Sequence, residues 1–371
     1  MIAGDDIKVL IIQKRYHPNS IGIVRGLIRR GHDVRMFVHA KGSTTEDCSD
    51  AEPVRIPYGR MSSSLLGLLG GSHARNRYAL PSMMGLWRAI RSYDPDVVIL
   101  KKGRLPNLIA GVMAAVVGSR RVLLTDDPPR TREKWWRALL LRTGILPSVC
   151  LSTNARCPGA LGMDKVNRAW YRPYPIELPS DARAPRKDGG PLKLLMVGKF
   201  RSHRKRLTWL VEAAARAGLD PGSTRLTIVG TGSENGPGPT YLRETAARLG
   251  WADSLTLHFN VPQRDMGAIY RDHDVFVMTA RDEPFGMVVM EAMAHGLAVI
   301  SGDSVGASDC ITHERNGLIY ASDDQDQLVA QLQRLDGSPE LLERLGAEAR
   351  NTIATHCTPE AFADLIEGLT R

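Results

Sequence analysis

The sequence predicts an α/β protein of two doubly wound domains, each a parallel sheet with helices on both faces. Three observations carry this. Short apolar, β-branched runs alternate with helix-period segments along most of the chain, the pattern of strand–crossover–strand units. A polar, proline- and glycine-rich break, Pro179-Ser-Asp-Ala-Arg-Ala-Pro-Arg-Lys-Asp-Gly-Gly-Pro191, interrupts the alternation, which then restarts. The length, 371 residues, suffices for two full cores.

In order along the chain, residues 7–12 (Ile-Lys-Val-Leu-Ile-Ile) are a buried-strand run. Residues 20–30 read as a helix closed by Gly31, and Val34–Val38 as a second strand. A helix around Met83–Tyr93, a strand at Asp96–Leu100, a helix at Pro106–Val117 and a strand at Arg121–Thr125 follow. A helix over Arg132–Thr143 and short strands near Val149–Leu151 and Trp170–Tyr171 complete the first domain, read as residues 1–179. After a linker over 180–191, the second domain (192–358) repeats the pattern. Its strands are Leu192–Val197, Arg225–Val229, Leu255–Phe259, Val275–Met278, Ala298–Ser301 and Gly317–Tyr320. Helices are read at Leu207–Ala217, Pro239–Leu249, from Phe285, near Asp324–Leu335 and at Pro339–Cys357. Residues 359–371 read as a C-terminal helix that packs back on the first domain. In open parallel sheets ligands bind at the carboxyl ends of the strands, so a cleft between the two domains is the expected site.

Composition narrows the function classes. A 43% hydrophobic and 24% charged chain is that of a soluble globular protein. The longest apolar run, Leu108–Val117, is too short to cross a bilayer, and no basic segment followed by an apolar run opens the chain, so no secretion signal is expected. The five cysteines are scattered without metal-ligand spacing, which points to reduced thiols and a cytoplasmic setting. Charge is uneven: residues 1–180 carry 28 basic against 14 acidic side chains, whereas 181–371 carry 21 against 26. The basic half suits an anionic acceptor, an anionic membrane surface or nucleic acid, or is simply a solvated basic surface.

The chemistry concentrates in the second half. Arg281-Asp-Glu-Pro-Phe-Gly-Met-Val-Val-Met-Glu-Ala-Met-Ala-His-Gly296 holds Glu283 and Glu291 eight residues apart. Pro284, Phe285 and Gly286 read as a loop opening a helix that continues through Met287, and a helix N-terminus suits an anion such as phosphate. One acid then precedes the helix and the other lies about a turn inside it. A ligand with phosphate at its middle and hydroxyls at both ends, the layout of a nucleotide sugar, could span them. Val197-Gly-Lys-Phe-Arg-Ser-His-Arg-Lys-Arg206 follows a strand, and its Gly198 permits a tight turn. The cluster of Lys199, Arg201, Arg204, Lys205 and Arg206 could neutralise a diphosphate or form only a solvated basic loop. Ile228-Val-Gly-Thr-Gly-Ser233, with Gly230, lacks the third glycine and acidic partner of a dinucleotide fingerprint and reads as a tight turn bordering a ligand. Gly302-Asp-Ser-Val-Gly306 is either a ligand-edge loop or a turn.

In these residues the chain resembles the retaining glycosyltransferases of family 4 (glycosyl transferases group 1), of the GT-B fold: two Rossmann-like domains facing an interdomain cleft. The resemblance covers residues 190–335 and, more weakly, 7–40. It rests on Gly198, Lys199 and Lys205, on Val229–Gly232, on Phe259-Asn260-Val261-Pro262, on Tyr270–Val277 and on the two-glutamate block. It implies that Lys199 and Lys205 hold a donor diphosphate, assisted by Arg204. Glu283 would bind hydroxyls of the transferred sugar, and backbone amides of Phe285, Gly286 and Met287 would meet the diphosphate or sugar. Glu291 would accept from the ribose hydroxyls, and the backbone at Asn260 and Val261 would meet the base.

Two departures stand out. The family's Gly-Gly pair after its first strand is replaced by Gln13–Gly22, in which Gly22, with Lys14 or Arg15, is the candidate substitute. The acceptor-side histidine after Arg121–Thr125 is replaced by Asp126 and Asp127, which are candidate proton acceptors or only an Asp-Pro turn.

The expected activity is transfer of a hexose-type sugar, with retention, from a nucleoside diphosphate sugar (a UDP-sugar) to a hydroxyl of a glycan, lipid-linked or natural-product acceptor. No cofactor or metal is expected, since the two aspartates are adjacent, not alternating. Nucleic acid is not expected as a partner. Met61–Gly71 and the Trp135-Trp136 pair suit peripheral contact with the inner face of an anionic membrane, or an acceptor loop and a tryptophan-packed helix. A sugar-nucleotide epimerase and a non-catalytic sugar-nucleotide-binding protein are the competing readings.

Overall fold

The structure is a computed structural model. It describes residues 6–15, 18–40, 53–56, 81–101, 105–119, 121–126, 148–152, 161, 165–166, 169–181, 183 and 190–370. The helix expected at Arg132–Thr143, the tryptophan pair, Met61–Gly71 and Asp127 lie outside the described residues.

The chain divides into two compact units. The first comprises residues 1–153, 163–175 and 358–371, and the second 154–162 and 176–357. In the first unit the strands are β1 (Lys8–Arg15), β2 (Asp33–Ala40), β3 (Val54–Arg55), β4 (Val97–Lys101), β5 (Arg121–Asp126), β6 (Ser148–Ser152), β7 (Lys165–Val166) and β8 (Ala169–Tyr171). They lie in the order β3-β2-β1-β4-β5-β6-β8-β7. Every pairing is parallel except the terminal β7–β8. The helices are α1 (Ile21–Arg29), α2 (Met83–Tyr93) and α3 (Leu105–Val117). Alternation of strand and crossover helix forces this order, because a parallel partner requires the chain to return across a face of the sheet. Both faces are then covered. Leu10, Ile12, Val98 and Leu100 of the sheet are fully buried with Leu86 and Ile90 of α2. Ser82 caps α2 by accepting a hydrogen bond from the Gly85 amide at 3.2 Å, and Asp94 ends it in the left-handed region (φ 52°).

The second unit has β9 (Leu192–Val197), β10 (Thr224–Gly230), β11 (Leu255–Phe259), β12 (Val275–Met278), β13 (Ala298–Gly302) and β14 (Leu318–Tyr320). Its helices are α4 (Thr208–Arg216), α5 (Pro237–Arg248), α6 (Gln263–Arg271), α7 (Met287–Ala294), α8 (Gln325–Asp336) and α9 (Pro339–His356). The all-parallel sheet runs β11-β10-β9-β12-β13-β14. Strands β9 to β11 step outward one way and β12 to β14 the other, so winding reverses between β9 and β12. At such a reversal the loops after the two central strands diverge to opposite faces and leave a crevice at their carboxyl ends. The core beneath holds Leu194, Met196, Leu226, Val277 and Ile300, all fully buried.

Helix α6 was not expected from the sequence. Only Met266 and Tyr270 of its nine residues are buried, and Gly267 interrupts it, so its apolar stripe is one residue wide. Helix α7 starts at Met287, not Phe285, because Gly286 takes a left-handed conformation (φ 97°). Pro284 and Phe285 are thus loop residues, and the proline does not occupy a first helical turn. Within the Pro179–Pro191 connector, Arg183 is held by the second unit. Its guanidinium, 3% exposed, pairs with Asp274 (3.2 Å) and Glu343 (2.6 Å), and its amide donates to the His295 carbonyl.

The last helix, α10 (Pro359–Thr370), returns to the first unit and packs along α1. Arg29 pairs with Glu360 at 2.9 Å, Arg30 with Asp364, and the buried His32 ring with Glu367 at 3.2 Å. The exposed pairs add little, and the close approach of the helices decides the contact. A side chain at Gly26 would collide with the Pro359 carbonyl. Among the described residues no helix is long and apolar enough to cross a membrane. Gly26→Ala should therefore loosen α10 by about 1–3 kcal/mol, the usual cost of overpacking. Hydrogen exchange should report faster opening of residues 359–370 with β9–β14 unaffected; unchanged exchange there would refute the packing described.

Candidate active site

The loop after β9 is built to hold one ammonium in one place. The Gly198 amide donates to the Val229 carbonyl at 2.9 Å, and a Cβ at Gly198 would stand 3.2 Å from the Lys205 stem. A single 3-10 turn, His203–Lys205, follows, and Arg206 leaves it in the left-handed region (φ 46°). The loop after β12 grips this turn. The Thr279 hydroxyl lies 2.7 Å and 3.0 Å from the carbonyls of Lys205 and Arg206. The Arg281 amide donates to the Arg204 carbonyl at 2.8 Å, and Arg204 Nη1 donates to the Asp282 carbonyl at 3.0 Å. Arg206 is tied away by Ser322 and Asp323 and stacks over Trp209.

The outcome is an ion pair across the reversal point: Lys205 Nζ stands 3.0 Å from Glu283 Oε2. Their side chains are 14% and 17% exposed. Arg204, 55% exposed, stands 3.8 Å from the same oxygen and contributes less, because water screens it. Oε2 is sealed from solvent yet accepts no hydrogen bond; the ammonium approaches it off the hydrogen-bonding direction. A ligand hydroxyl could reach only the part of the Glu283 side chain that stays exposed, not this sealed oxygen.

Gly286 sets the strap that carries Glu283 into α7. Its left-handed backbone turns the chain, and a Cβ would sit 3.0 Å from Val305 Cγ1. The neighbouring 302–310 loop fastens the strap through the Gly306 amide to the Glu283 carbonyl (3.1 Å) and the Ala307 amide to the Phe285 carbonyl (2.6 Å). Phe285 is buried beneath it. The Val289 amide donates to the Gly286 carbonyl at 2.9 Å, and the first turn of α7 carries the positive end of the helix dipole beside Glu283 and Lys205.

Glu291 lies one turn into α7. Tyr270 donates its hydroxyl to Oε2 at 2.7 Å and Gln263 its amide to Oε1 at 3.1 Å. Burial raises the Glu291 carboxyl above its ordinary 4.5, and the two hydrogen bonds oppose that rise. Burial, with the Glu291 charge, raises the Tyr270 phenol, so it stays a donor. His295 stacks on Tyr270 with ring centroids 4.9 Å apart. Burial lowers its pKa, and its Nδ1 carries the proton, because it lies 2.8 Å from the Glu291 carbonyl, which only accepts.

Asn260, left-handed at φ 53°, exchanges two hydrogen bonds with the Gly232 backbone (3.0 and 3.1 Å), and its amide donates to the Gly230 carbonyl at 2.8 Å. A Cβ at Gly230 would collide with the Gly198 carbonyl and the Phe200 ring, so this glycine permits the β9 and β10 loops to touch.

Gly198, Lys199, Arg204, Lys205, Gly230, Asn260, Val261, Glu283, Phe285, Gly286, Met287 and Glu291 all fall at the carboxyl ends of the second sheet or on the start of α7. Lys199 is exposed and pairs with no carboxylate among the described residues. Gly22 and Asp126 belong to the first unit. A Cβ at Gly22 would lie 2.6 Å from the Pro175 carbonyl, so its missing side chain serves packing. Asp126 is the last residue of β5. Among the described residues no group of three His, Cys, Asp or Glu side chains is placed to hold a metal ion. Sequence reasoning gave no role to Thr279, Gln263 or Tyr270. Tyr270 opens the Tyr270–Val277 stretch of the resemblance but without a role there, and Thr279 and Gln263 are marked by no local pattern, since each acts on a loop or helix distant in sequence.

Comparison with known proteins bears on the family and the fold. Residues 179–352 match the family model described as glycosyl transferases group 1. A D-inositol 3-phosphate glycosyltransferase of Thermobispora bispora is 30% identical over 195 residues, 50% of this chain and 44% of that one. The chain thus spans less than half the length of that relative. The lipopolysaccharide core biosynthesis glycosyltransferase LpsD of Rhizobium meliloti is 26% identical over 297 residues, 78% of this chain and 79% of that one. The solved structure of HepE of Anabaena in complex with UDP superposes with a TM-score of 0.72 over 98% of this chain and 99% of that one, at 14% identity, which speaks for the fold alone. Residues 179–352 thus carry the chain's similarity to the glycosyl transferases group 1, and the fold is the GT-B fold.

Proposed function

We propose that the protein transfers a hexose-type sugar from a nucleoside diphosphate sugar to a hydroxyl acceptor, with retention at the anomeric carbon. The observation that carries this reading is the Lys205–Glu283 pair beside the N-terminus of α7. It sets a cation where a leaving diphosphate would develop charge and a carboxylate where sugar hydroxyls would bind. Lys199, Lys205 and Arg204 hold the diphosphate with the amides of Phe285, Gly286 and Met287, and Gly198 lets the backbone approach. Glu283 orients the sugar, Glu291 takes the ribose hydroxyls, and the backbone at Asn260 and Val261, beside Gly230, meets the base. Uridine is the base we favour, supported by the fold shared with a protein solved with UDP.

As the anomeric C–O bond breaks, its electron pair passes to the diphosphate oxygen, and Lys205 stabilises the charge formed. The acceptor oxygen bonds to the anomeric carbon and yields its proton to that phosphate oxygen or to Asp126 or Asp127. We assign the acceptor to the first unit, and the similarity to a lipopolysaccharide core enzyme supports a glycan or lipid-linked one. The basic first half suits such an acceptor or the anionic inner face of a membrane.

Lys205→Ala should lower kcat about 10²–10³-fold, the range for removing one preorganised charge-stabilising group. A folded variant that keeps its rate sinks the reading. Transfer of labelled sugar from UDP-glucose should persist in excess EDTA, with cations of the chain serving the diphosphate; loss on chelation and recovery with magnesium would contradict this. The fold disfavours the charged form of Glu291, so the stability tied to its neutral form is complete below pH 4.5 and is lost as pH rises. Glu291→Gln should therefore bind donor more weakly yet melt at a higher temperature than the wild type at pH 8. The gap should close below pH 4.5; equal melting at pH 8 would contradict the stated cost.

A further inference from the structure

Glu291 is held in a manner that a merely structural carboxylate does not require. Its two donors come from opposite ends of α6, Gln263 at the first position and Tyr270 seven residues on. That spacing is two helical turns, so both side chains face α7 from one stripe. Each grips a different oxygen, Gln263 on Oε1 and Tyr270 on Oε2. A carboxylate bonded at both oxygens cannot rotate about its terminal torsion without breaking one bond. One lone-pair direction per oxygen is then left for a ligand. Tyr270 is itself immobile, buried and stacked on His295, whose ring is bonded to the Glu291 backbone.

We propose that Tyr270 and Gln263 are positioning residues that lock the Glu291 carboxylate edge-on to two adjacent hydroxyls, so that this pair sets the enzyme's preference for ribose over deoxyribose in the donor. The inference rests on the donor reading above and adds the groups that make Glu291 selective. Neither residue touches the ligand; both act through the orientation of one side chain.

Calorimetric titration of UDP and 2′-deoxy-UDP into the full chain tests it, using wild type, Glu291→Gln, Tyr270→Phe and Gln263→Ala. The readout is the ratio of the two Kd values, because general loosening weakens both ligands alike and leaves the ratio unchanged. The wild-type ratio should be about tenfold, the worth of one hydrogen bond to a charged group. Tyr270→Phe and Gln263→Ala should each lower it several-fold, and Glu291→Gln should bring it near one. Gln263 is exposed at the helix start, so its variant reports even if Tyr270→Phe fails to fold. A full ratio in both positioning variants, with Glu291→Gln near one, overturns this inference and leaves the donor site standing. No UDP binding in wild type, or a ratio that survives Glu291→Gln, overturns the donor reading and this inference with it.

Discussion

The site depends on one constraint: two loops that leave the second sheet at its reversal point are sewn together before either can offer a side chain. The Thr279 hydroxyl, the Arg281 amide and the Arg204 guanidinium supply the stitches. Only because the backbone of Lys205 is fixed can a flexible four-carbon side chain hold its ammonium 3.0 Å from Glu283. A lysine on a free loop would lose more in side-chain entropy than an ion pair returns. The partial burial of both groups matters for the same reason, since water would otherwise screen the pair.

Helix α7 links this pair to the rest of the unit. Its N-terminus lies beside Glu283, Glu291 follows one turn in, and donors meet its C-terminal carbonyls. Arg350 donates to Ala294 and also to Pro179 at 2.7 Å, and the Arg183 amide meets His295. A cation such as Arg350 at a helix C-terminus meets the negative end of the dipole. Arg183 also reaches Asp274, which precedes β12 and accepts from the Lys193 amide at 2.9 Å. The connector is therefore fastened at the end of the sheet away from the Lys205–Glu283 pair. The unit also retains a costly feature, the partly desolvated acid Glu291. A glutamine there would avoid burying a charge.

The first unit is organised by close backbone approach instead of charge. Gly26 brings α10 against α1, and Gly22 brings the start of α1 against Pro175. Gln13, buried at the end of β1, accepts from Ser20 at 3.0 Å and so ties the loop after that strand to the foot of α1. Gly22 is used here for packing.

Most of the architecture was legible in the linear chain. Parallel strands buried on both faces are continuous apolar runs, and helices with a broad apolar stripe announce themselves by period; α2 spans the residues the sequence suggested, Met83–Tyr93. Helix α6 escaped because it buries only two side chains. The residues of the candidate site also stand out in the linear chain, since Glu283, Glu291, Lys199 and Lys205 sit in a glycine- and proline-punctuated pattern along it. Their arrangement does not. That Lys205 rather than Arg204 takes the sealed oxygen of Glu283 follows from a left-handed Arg206 and from Thr279 in a loop more than seventy residues away. That Glu291 is oriented follows from a tyrosine and a glutamine on another helix. Periodicity and composition are local properties that one segment carries alone. A hydrogen bond between loops exists only once sheet order has brought two distant strands side by side, and tertiary structure alone decides that.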